Sequence, residues 1–200
     1  MSISELGMIV NDNFQKPLNQ QLREMKYSGA YIFETSTSFI PDFSGWYKII
    51  VVSAGEGARY TSGSGDAKGG SSGAVAISTL HLDKISYDVK INVWNNSFNQ
   101  YVASFNDIIE CKNAVGSTGG VVTKKGDFNY NGLNNSGRQG ASVGVFIPEL
   151  MRRFSTIENG AMYESGEGVL GYGAGGTLTS LNNSTRYGGG AVIIIPLELE

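Results

Sequence analysis

Glycine is concentrated in three patches of this chain, and that distribution limits the folds that the sequence can adopt. Of the 200 residues, 28 are glycine, about twice the usual share. The patches cover residues 55–73, 116–144 and 160–190, and the intervals between them are rich in valine, isoleucine, tyrosine and tryptophan. Glycine provides backbone freedom and close approach but no functional group. The pattern therefore predicts Gly-rich loops on a β framework, and we expect such loops to bind a ligand.

Apolar runs between the glycine patches have the period and composition of β-strands. The most regular alternation covers residues 85–94, and the face that we expect to be buried consists of Ile85, Tyr87, Val89, Ile91 and Val93. Further strands are predicted at Trp46–Ser53, Gly73–Leu80, Tyr101–Phe105, Asp107–Lys112, Gly120–Thr123, Ser142–Ile147, Thr177–Leu181 and Ala191–Leu199. Only Pro148–Phe154 has a helical pattern here. Residues 28–200 are therefore predicted to form an all-β domain, a jelly-roll-like antiparallel β-sandwich with Gly-rich loops.

Residues 1–27 have a different period and are predicted to form a separate N-terminal segment. Ser2 and Glu5 fit a capping box at a helix start. Apolar residues then recur every three or four positions, the spacing of one helical face, at Ile3, Leu6, Val10, Phe14, Leu18, Leu22 and Met25. A short amphipathic helix is marginal alone in water. We expect this helical segment to pack either on its own domain or on copies of itself.

Charge and hydropathy exclude several classes of function. Charged residues make up 16% of the chain and the net charge is −3, without the concentrated basic patch of a nucleic-acid-binding protein. The apolar stretch Ala191–Ile195 is far shorter than the ~20 residues that a spanning helix needs. The first residues lack the features of a secretory signal. We expect no nucleic-acid partner, no membrane insertion, and synthesis in a cytoplasm without a signal peptide.

The candidate catalytic groups do not form a recognisable catalytic motif. The G-x-G-x-x-G match at residues 171–176 lacks the strand and helix that a dinucleotide site needs. His81 is the only histidine, and no nucleophile elbow accompanies it. Cys111 is the only cysteine, so an internal disulfide is excluded, and we expect it to be a small buried side chain. We predict no catalytic residue, no metal site and no cofactor.

Aromatic and amide side chains near the glycines are better candidates for ligand contact. An aromatic face beside hydrogen-bonding groups suits sugar rings, although tyrosines could equally pack on neighbouring glycines. Three Asn-Asn-Ser tripeptides are interpreted as turns, because asparagine tolerates left-handed backbone geometry. The predicted receptor-binding residues are Tyr60, Asp66, Asn95, Asn96, Tyr130, Asn134, Asn135, Tyr172, Asn182, Asn183 and Tyr187.

Several segments follow one another in a distinctive order across residues 28–200. They are Phe39-Ile40-Pro41, the strand Trp46–Ser53 with Ala54-Gly55-Glu56-Gly57, the Gly-rich run at 69–77, Tyr87–Trp94, Thr118-Gly119-Gly120, and the closing Gly188–Ile194. In this order the chain resembles the glycine-rich C-terminal receptor-binding domains of bacteriophage and prophage tail fibres.

The resemblance implies a non-enzymatic adhesin of a virion tail that works as a homotrimer. Its partner would be a bacterial cell-surface polysaccharide or protein receptor, and three weak contacts would combine into useful avidity. Two alternatives stay open. One is a tail-associated glycan hydrolase that uses paired carboxylates such as Glu164 and Glu167, and the other is a purely structural virion subunit.

Overall fold

The computed structural model describes residues 30–60, 67–134 and 188–197, and the shorter stretches 145–147, 152–154, 172–173, 175, 178–180 and 183–184. These residues contain sixteen β-strands and no helix. In chain order the strands are β1 (Tyr31–Phe33), β2 (Thr37–Phe39), β3 (Gly45–Val52), β4 (Arg59–Tyr60), β5 (Ala67–Lys68), β6 (Val75–Leu82), β7 (Tyr87–Asn95), β8 (Gln100–Phe105), β9 (Ile109–Lys112), β10 (Val121–Lys124), β11 (Phe128–Tyr130), β12 (Val145–Ile147), β13 (Arg152–Phe154), β14 (Leu178–Ser180), β15 (Asn183–Ser184) and β16 (Ala191–Leu197).

Ten of these strands form two antiparallel five-stranded sheets, which confirms the all-β prediction. Sheet A has the order β1-β16-β3-β6-β11, and sheet B has the order β10-β9-β8-β7-β2. The other six strands form the two-stranded pairs β4-β5, β12-β13 and β14-β15. In sheet B the strands β7 to β10 are neighbours both in sequence and in space, which is a meander. The jelly-roll part of the prediction is not confirmed by this order.

Both sheets contribute side chains to one hydrophobic core that lies between them. Tyr47 and Ile49 of sheet A are fully buried in it, as are Phe105 and Ile109 of sheet B. The ring of Tyr87 stacks on that of Phe105, with centroids 5.5 Å apart. Because strands of both sheets share this core, the sheets face each other, as they do in a β-sandwich.

The outer face of sheet A is apolar as well. One cross-strand row runs over all five strands of the sheet in the order Ile32, Ile193, Ile50, Ile77 and Phe128. Ile50 and Ile193 are 0% exposed, whereas Phe128 at the edge is 61% exposed. Tyr172 packs against the centre of this face. This explains why β3 and β16 have uninterrupted apolar sequences, because strands that are buried on both faces do not alternate apolar and polar residues.

The predicted alternation at residues 85–94 is confirmed only in its middle. The side chains that point into the core are Tyr87, Val89 and Ile91. A bulge follows, where the register with β8 shifts and Asn92 has a φ of 56°. Since an extra residue reverses the facing of those after it, Val93 leaves the core face and is 36% exposed. Ile85 precedes the strand and is 59% exposed.

The helix predicted at Pro148–Phe154 is wrong for its last three residues. Within Pro148–Phe154, the segment Arg152–Phe154 is strand β13, which pairs with β12. Helix propensity is a weak local preference that pairing with a neighbouring strand outweighs. Residues 148–151 lie outside the described residues, as does the helical segment predicted for residues 1–27.

Backbones from the glycine patches meet at one end of the two sheets, which we call the glycine end. The N–H of Gly55 donates to the carbonyl oxygen of Gly188 at 3.0 Å. The N–H of Gly73 donates to the carbonyl oxygen of Gly173 at 2.7 Å, and the N–H of Gly173 donates to the carbonyl oxygen of Gly189 at 2.9 Å. Segments far apart in sequence are therefore joined directly, backbone to backbone.

The middle glycine patch is held in the same way. The N–H of Gly120 donates to the carbonyl oxygen of Ser72 at 2.8 Å. The N–H of Gly132 donates to the carbonyl oxygen of Gly120, also at 2.8 Å. A β-carbon on Gly132 would lie 2.0 Å from the carbonyl oxygen of Ser72. Glycine is needed here because the neighbouring backbone occupies the space of a side chain. In this part of the patches, packing accounts for the glycines without any ligand.

This packing predicts that Gly73→Ala destabilises the protein strongly and that Gly189→Ala does not. A β-carbon on Gly73 would lie 1.9 Å from the carbonyl oxygen of Ser53, whereas one on Gly189 would meet no heavy atom within 4 Å. We expect a loss of at least about 1–3 kcal/mol in the free energy of unfolding for Gly73→Ala. Gly189→Ala should leave it unchanged or raise it slightly. Urea denaturation measures both, and equal midpoints would contradict the close packing.

Candidate ligand-binding site

The hairpin that joins β7 and β8 ends in a turn rich in asparagine. Asn95 pairs with Gln100 across the hairpin, and the N–H of Phe98 donates to the carbonyl oxygen of Asn95 at 3.2 Å. Asn99 has a φ of 52°, in the left-handed region that asparagine tolerates. The turn predicted at Asn95–Ser97 is confirmed. We call residues 94–101 the β7–β8 tip.

Two exposed aromatic rings face each other at the base of this tip. Trp94 and Tyr101 are paired across the hairpin, each is 46% exposed, and their ring centroids are 5.0 Å apart at 76°. Tyr101 lies on the same side of β8 as Ala103 and Phe105, which point into the core. The pair therefore extends the line of the core side chains beyond the covered part of the sheets, where its apolar surface meets solvent.

The other face of the tip combines an aromatic ring with a cation. The Lys112 ammonium lies 5.0 Å from the centroid of the Phe98 ring, which is 40% exposed. Lys112 is paired with Val102 and Val121, so it belongs to the outer face of sheet B. A cation within about 6 Å of a ring centroid is attracted to the ring face, which holds the Lys112 ammonium beside Phe98. The tip thus offers an aromatic pair on one side and a positive charge on the other.

Hydrogen-bonded amide groups connect the tip to the end of β3. Asn113 is 8% exposed, and its side chain accepts from the Ala54 N–H at 3.1 Å and donates to Asn92 Oδ1 at 2.8 Å. The Gln100 side chain donates to the carbonyl oxygen of Asn113. The Asn113 N–H donates to the carbonyl oxygen of Tyr101 at 2.9 Å. These bonds join the tip to the segment next to Gly55, so the tip lies at the glycine end.

A buried carboxylate fixes the tip to sheet B. Glu110 of β9 is 3% exposed, and its Oε2 accepts from Asn95 Nδ2 at 3.2 Å. Its Oε1 accepts from the Thr123 hydroxyl at 2.7 Å. Thr123 lies where the register of β10 shifts against β9, and such bulges redirect side chains. Because hydrogen bonds to a buried charged group are strong, Glu110 holds Asn95 and the turn in place.

Six of the eleven predicted receptor-binding residues cannot be compared as side chains. Asp66, Asn135, Asn182 and Tyr187 lie outside the described residues. For the remaining two, only the backbone is described. They are Tyr60, the last residue of β4, and Asn183, the first residue of β15. For these residues the prediction stays a prediction.

The other five predicted residues fall into two groups on different sheets. Asn95 and Asn96 lie in the β7–β8 tip. Tyr130 lies on the outer face of sheet A and is 40% exposed, with Asn134 four residues further on. Asn134 accepts from the Gly119 N–H at 2.8 Å.

The Tyr172 hydroxyl donates to the Glu34 carboxylate. Asn95, Asn134 and Tyr172 are thus used by the fold, whereas Asn96 and Tyr130 present exposed side chains.

Sequence reasoning missed the aromatic pair itself. Trp94 closes a strand of regular alternation and Tyr101 opens the next one, so both are expected to be strand residues with no separate role. The signal that could have identified them is their symmetry: an aromatic residue stands on each side of an asparagine-rich turn. In an antiparallel hairpin such positions are opposite each other, which brings the rings together.

The two candidate catalytic side chains in the described part, Cys111 and His81, lie on opposite sides of sheet A. Cys111 is fully buried between the sheets, where burial raises the pKa of its thiol. His81 lies on the outer face of sheet A, with its ring beside Trp46, so the two cannot form a dyad. No cluster of three metal-ligating side chains occurs among the described residues. The alternative acid pair, Glu164 and Glu167, lies outside them.

No protein-family model matches the chain, and no curated protein matches it either. Among the residues that the structure describes, no helix is long and apolar enough to cross a membrane.

The two neighbouring asparagines of the tip should differ in their effect on stability. Asn95→Ala removes the bond to the buried Glu110 carboxylate and the acceptor of the Ser97 N–H. We expect it to lower the free energy of unfolding by about 1–3 kcal/mol. Asn96→Ala is the matched control, because its exposed side chain should change stability by no more than about 0.5 kcal/mol. Thermal denaturation measures both, and equal effects would contradict the anchoring role of Glu110.

Proposed function

We propose that this protein is a non-enzymatic receptor-binding adhesin of a bacteriophage or prophage tail that recognises a bacterial surface glycan through the β7–β8 tip. The observation that supports this most is the exposed pair Trp94 and Tyr101, on a hairpin whose turn carries the exposed Asn96. The resemblance to glycine-rich tail-fibre domains supplies the biological setting. In this setting the protein is made in the host cytoplasm and works in the virion tail.

The chemistry of the tip suits a carbohydrate. A sugar ring has apolar C–H faces and a polar edge of hydroxyl groups, so it binds best where an aromatic face and hydrogen-bonding groups lie side by side. Trp94 and Tyr101 supply the aromatic surface, and the turn that joins their strands supplies the exposed amide of Asn96. Lys112 would add a contact for an acidic substituent. None of these interactions needs a cofactor.

The direction of the chain fits attachment at one end and binding at the other. Residues 1–29 join the described part at Ala30, next to Tyr31 of β1, whose hydroxyl donates to Asp42. Asp42 lies between β2 and β3, at the end of the sheets opposite Ala54 and the tip. A fibre joined through the N-terminal segment would therefore present the tip outwards.

The full proposal includes three finer features. They are a jelly-roll-like connection of the sandwich, a short helical segment within residues 1–27, and a homotrimer. The trimer matters for function because single aromatic–sugar contacts are weak, and three of them on one rigid body multiply the apparent affinity when the geometry allows it.

Loss of either ring of the aromatic pair should weaken glycan recognition. We expect Trp94→Ala and Tyr101→Ala each to weaken binding about tenfold or more, as central aromatic contacts do, and Asn96→Ala to weaken it without loss of stability. Phe128→Ala is the control, because Phe128 is an exposed ring on the outer face of sheet A. An array of purified bacterial surface polysaccharides measures all four variants beside the wild type. Wild-type binding that survives Trp94→Ala, or is lost equally with Phe128→Ala, would contradict the site.

A further inference from the structure

Lys112 stands beside a part of the chain that has no charged side chain. Residues 91–106, which include the whole β7–β8 tip, contain no aspartate, glutamate, lysine or arginine, and neither do residues 113–123. Lys112 is the last residue of β9, and its ammonium lies 5.0 Å from the centroid of the exposed Phe98 ring. A positive charge is therefore held at the base of an uncharged tip.

The cross-strand row that contains Lys112 is otherwise apolar. It runs over four strands of sheet B in the order Val93, Val102, Lys112 and Val121. The row lies on the outer face of the sheet, because the neighbouring residues Ala103 and Cys111 point into the core. Val93 is 36% exposed and Val121 is 38% exposed. A ligand that lies on this row thus meets aliphatic surface and one positive charge.

The Lys112 ammonium has no carboxylate partner in the part of the chain that the structure describes. Two other lysines of the outer face, Lys90 and Lys124, are both paired with Asp107, at 3.1 and 3.9 Å. No ion pair of this kind includes Lys112. A cation beside apolar surface attracts an anion more strongly than a cation in open water does, because the effective dielectric constant is lower there.

The acidic side chains of the outer face do not occupy this place. Glu110 precedes Lys112 on the same face of β9, but it is 3% exposed and both its oxygens accept hydrogen bonds within the fold. Asp88 near the start of β7 and Asp107 in the β8–β9 turn lie at the end of sheet B opposite the tip. An anion that approaches the tip from solvent therefore meets the Lys112 ammonium and no exposed carboxylate.

This combination favours a sugar that carries a negative charge. An acidic sugar ring has an apolar C–H face and a carboxylate or phosphate group, which match the apolar row and the ammonium. A neutral sugar on the same surface would remove part of the hydration of Lys112 without supplying a partner, and this costs free energy. Lysine is a compact charge with three donors, so it accommodates either anion.

We propose that the glycan recognised at the β7–β8 tip is acidic and that Lys112 selects it by contact with the carboxylate or phosphate group of one sugar. This inference rests on the proposed function and names the class of glycan that the tip binds. Because the tip is a two-stranded hairpin, a polymer that crosses it reaches both faces. It places an acidic sugar beside Lys112 and a neighbouring sugar on Trp94 and Tyr101.

The first part of the test varies the glycan and uses the full-length protein. Each acidic polysaccharide on the array is placed beside a neutralised form, made by reduction of its carboxyl groups to alcohols or by removal of its phosphate monoesters. We expect the wild type to bind the acidic form about tenfold more tightly than the neutralised form. The treatment that weakens binding identifies the anion as a carboxylate or a phosphate.

The second part changes the lysine. Lys112→Met removes the charge and keeps an unbranched side chain that can contact the Phe98 ring, whereas Lys112→Arg keeps the charge. The matched control is Lys84→Met, which changes the net charge equally at an exposed position before β7, opposite the tip. We expect Lys112→Met to weaken binding of the acidic polymer about threefold to tenfold, and the other two variants to bind like the wild type. Thermal denaturation checks that all three are folded.

Salt dependence gives a readout that a structural role of Lys112 would not change. Between about 0.01 M and about 1 M salt the screening length falls from about 30 Å to about 3 Å, so wild-type binding should weaken, and binding by Lys112→Met should weaken less. A wild type that binds neutralised and acidic forms equally, or a Lys112→Met variant that binds like the wild type, would overturn the selection by Lys112 and leave the receptor-binding proposal standing. A wild type that binds no polysaccharide on the array would overturn the receptor-binding proposal and this inference with it.

Discussion

The close contact of glycine backbones at the glycine end is the constraint on which the rest of the structure depends. Gly73 lies against the carbonyl oxygen of Ser53, and Gly132 lies against that of Ser72. The Gly73 contact fixes the ends of β3 and β6, and the bond from the Gly55 N–H to the Gly188 carbonyl oxygen holds the start of β16 beside them. With those ends fixed, the strands of sheet A pair in one register. In this register one apolar face of the sheet is buried against sheet B, and most of the opposite, outer face is also buried.

The glycine contacts also position the candidate site. Ala54 follows the strand end that Gly73 packs against, and its N–H donates to Asn113, which in turn bonds to the β7–β8 tip. Glu110 holds the tip from the other side through Asn95. A rigid framework beneath exposed rings lowers the ordering cost of binding. The glycines thus matter for recognition by supporting the site, and the proposed contacts come from the neighbouring hairpin.

Much of the fold could be predicted from the sequence, because strand periodicity depends mainly on burial. The predicted strands Trp46–Ser53 and Ala191–Leu199 agree with β3 and β16 to within two residues at each end. Bulges and pairing partners could not be predicted, since they depend on contacts between distant residues. The bulge at Asn92 reverses the facing of Val93, and the pairing of β12 with β13 replaces the helix expected at Arg152–Phe154.

The candidate site was only partly predictable. Asn95 and Asn96 are recognisable as turn residues from the sequence, but their different roles depend on the buried Glu110, fifteen residues away from Asn95. The pairing of Trp94 with Tyr101 requires the hairpin register, which the sequence does not show. Sequence patterns locate elements reliably, whereas sites made by several elements appear only when the elements are assembled.

The assignment of glycan binding to the β7–β8 tip can be tested directly, because the chain has two tryptophans. Trp94 belongs to the β7–β8 tip, whereas Trp46 lies at the start of β3 on the outer face of sheet A. Fluorescence of the variants Trp46→Phe and Trp94→Phe therefore reports one tryptophan at a time. We expect a bound bacterial glycan to change the emission of Trp94 and to leave that of Trp46 unchanged. A glycan that binds and changes the emission of Trp46 alone would contradict the assignment.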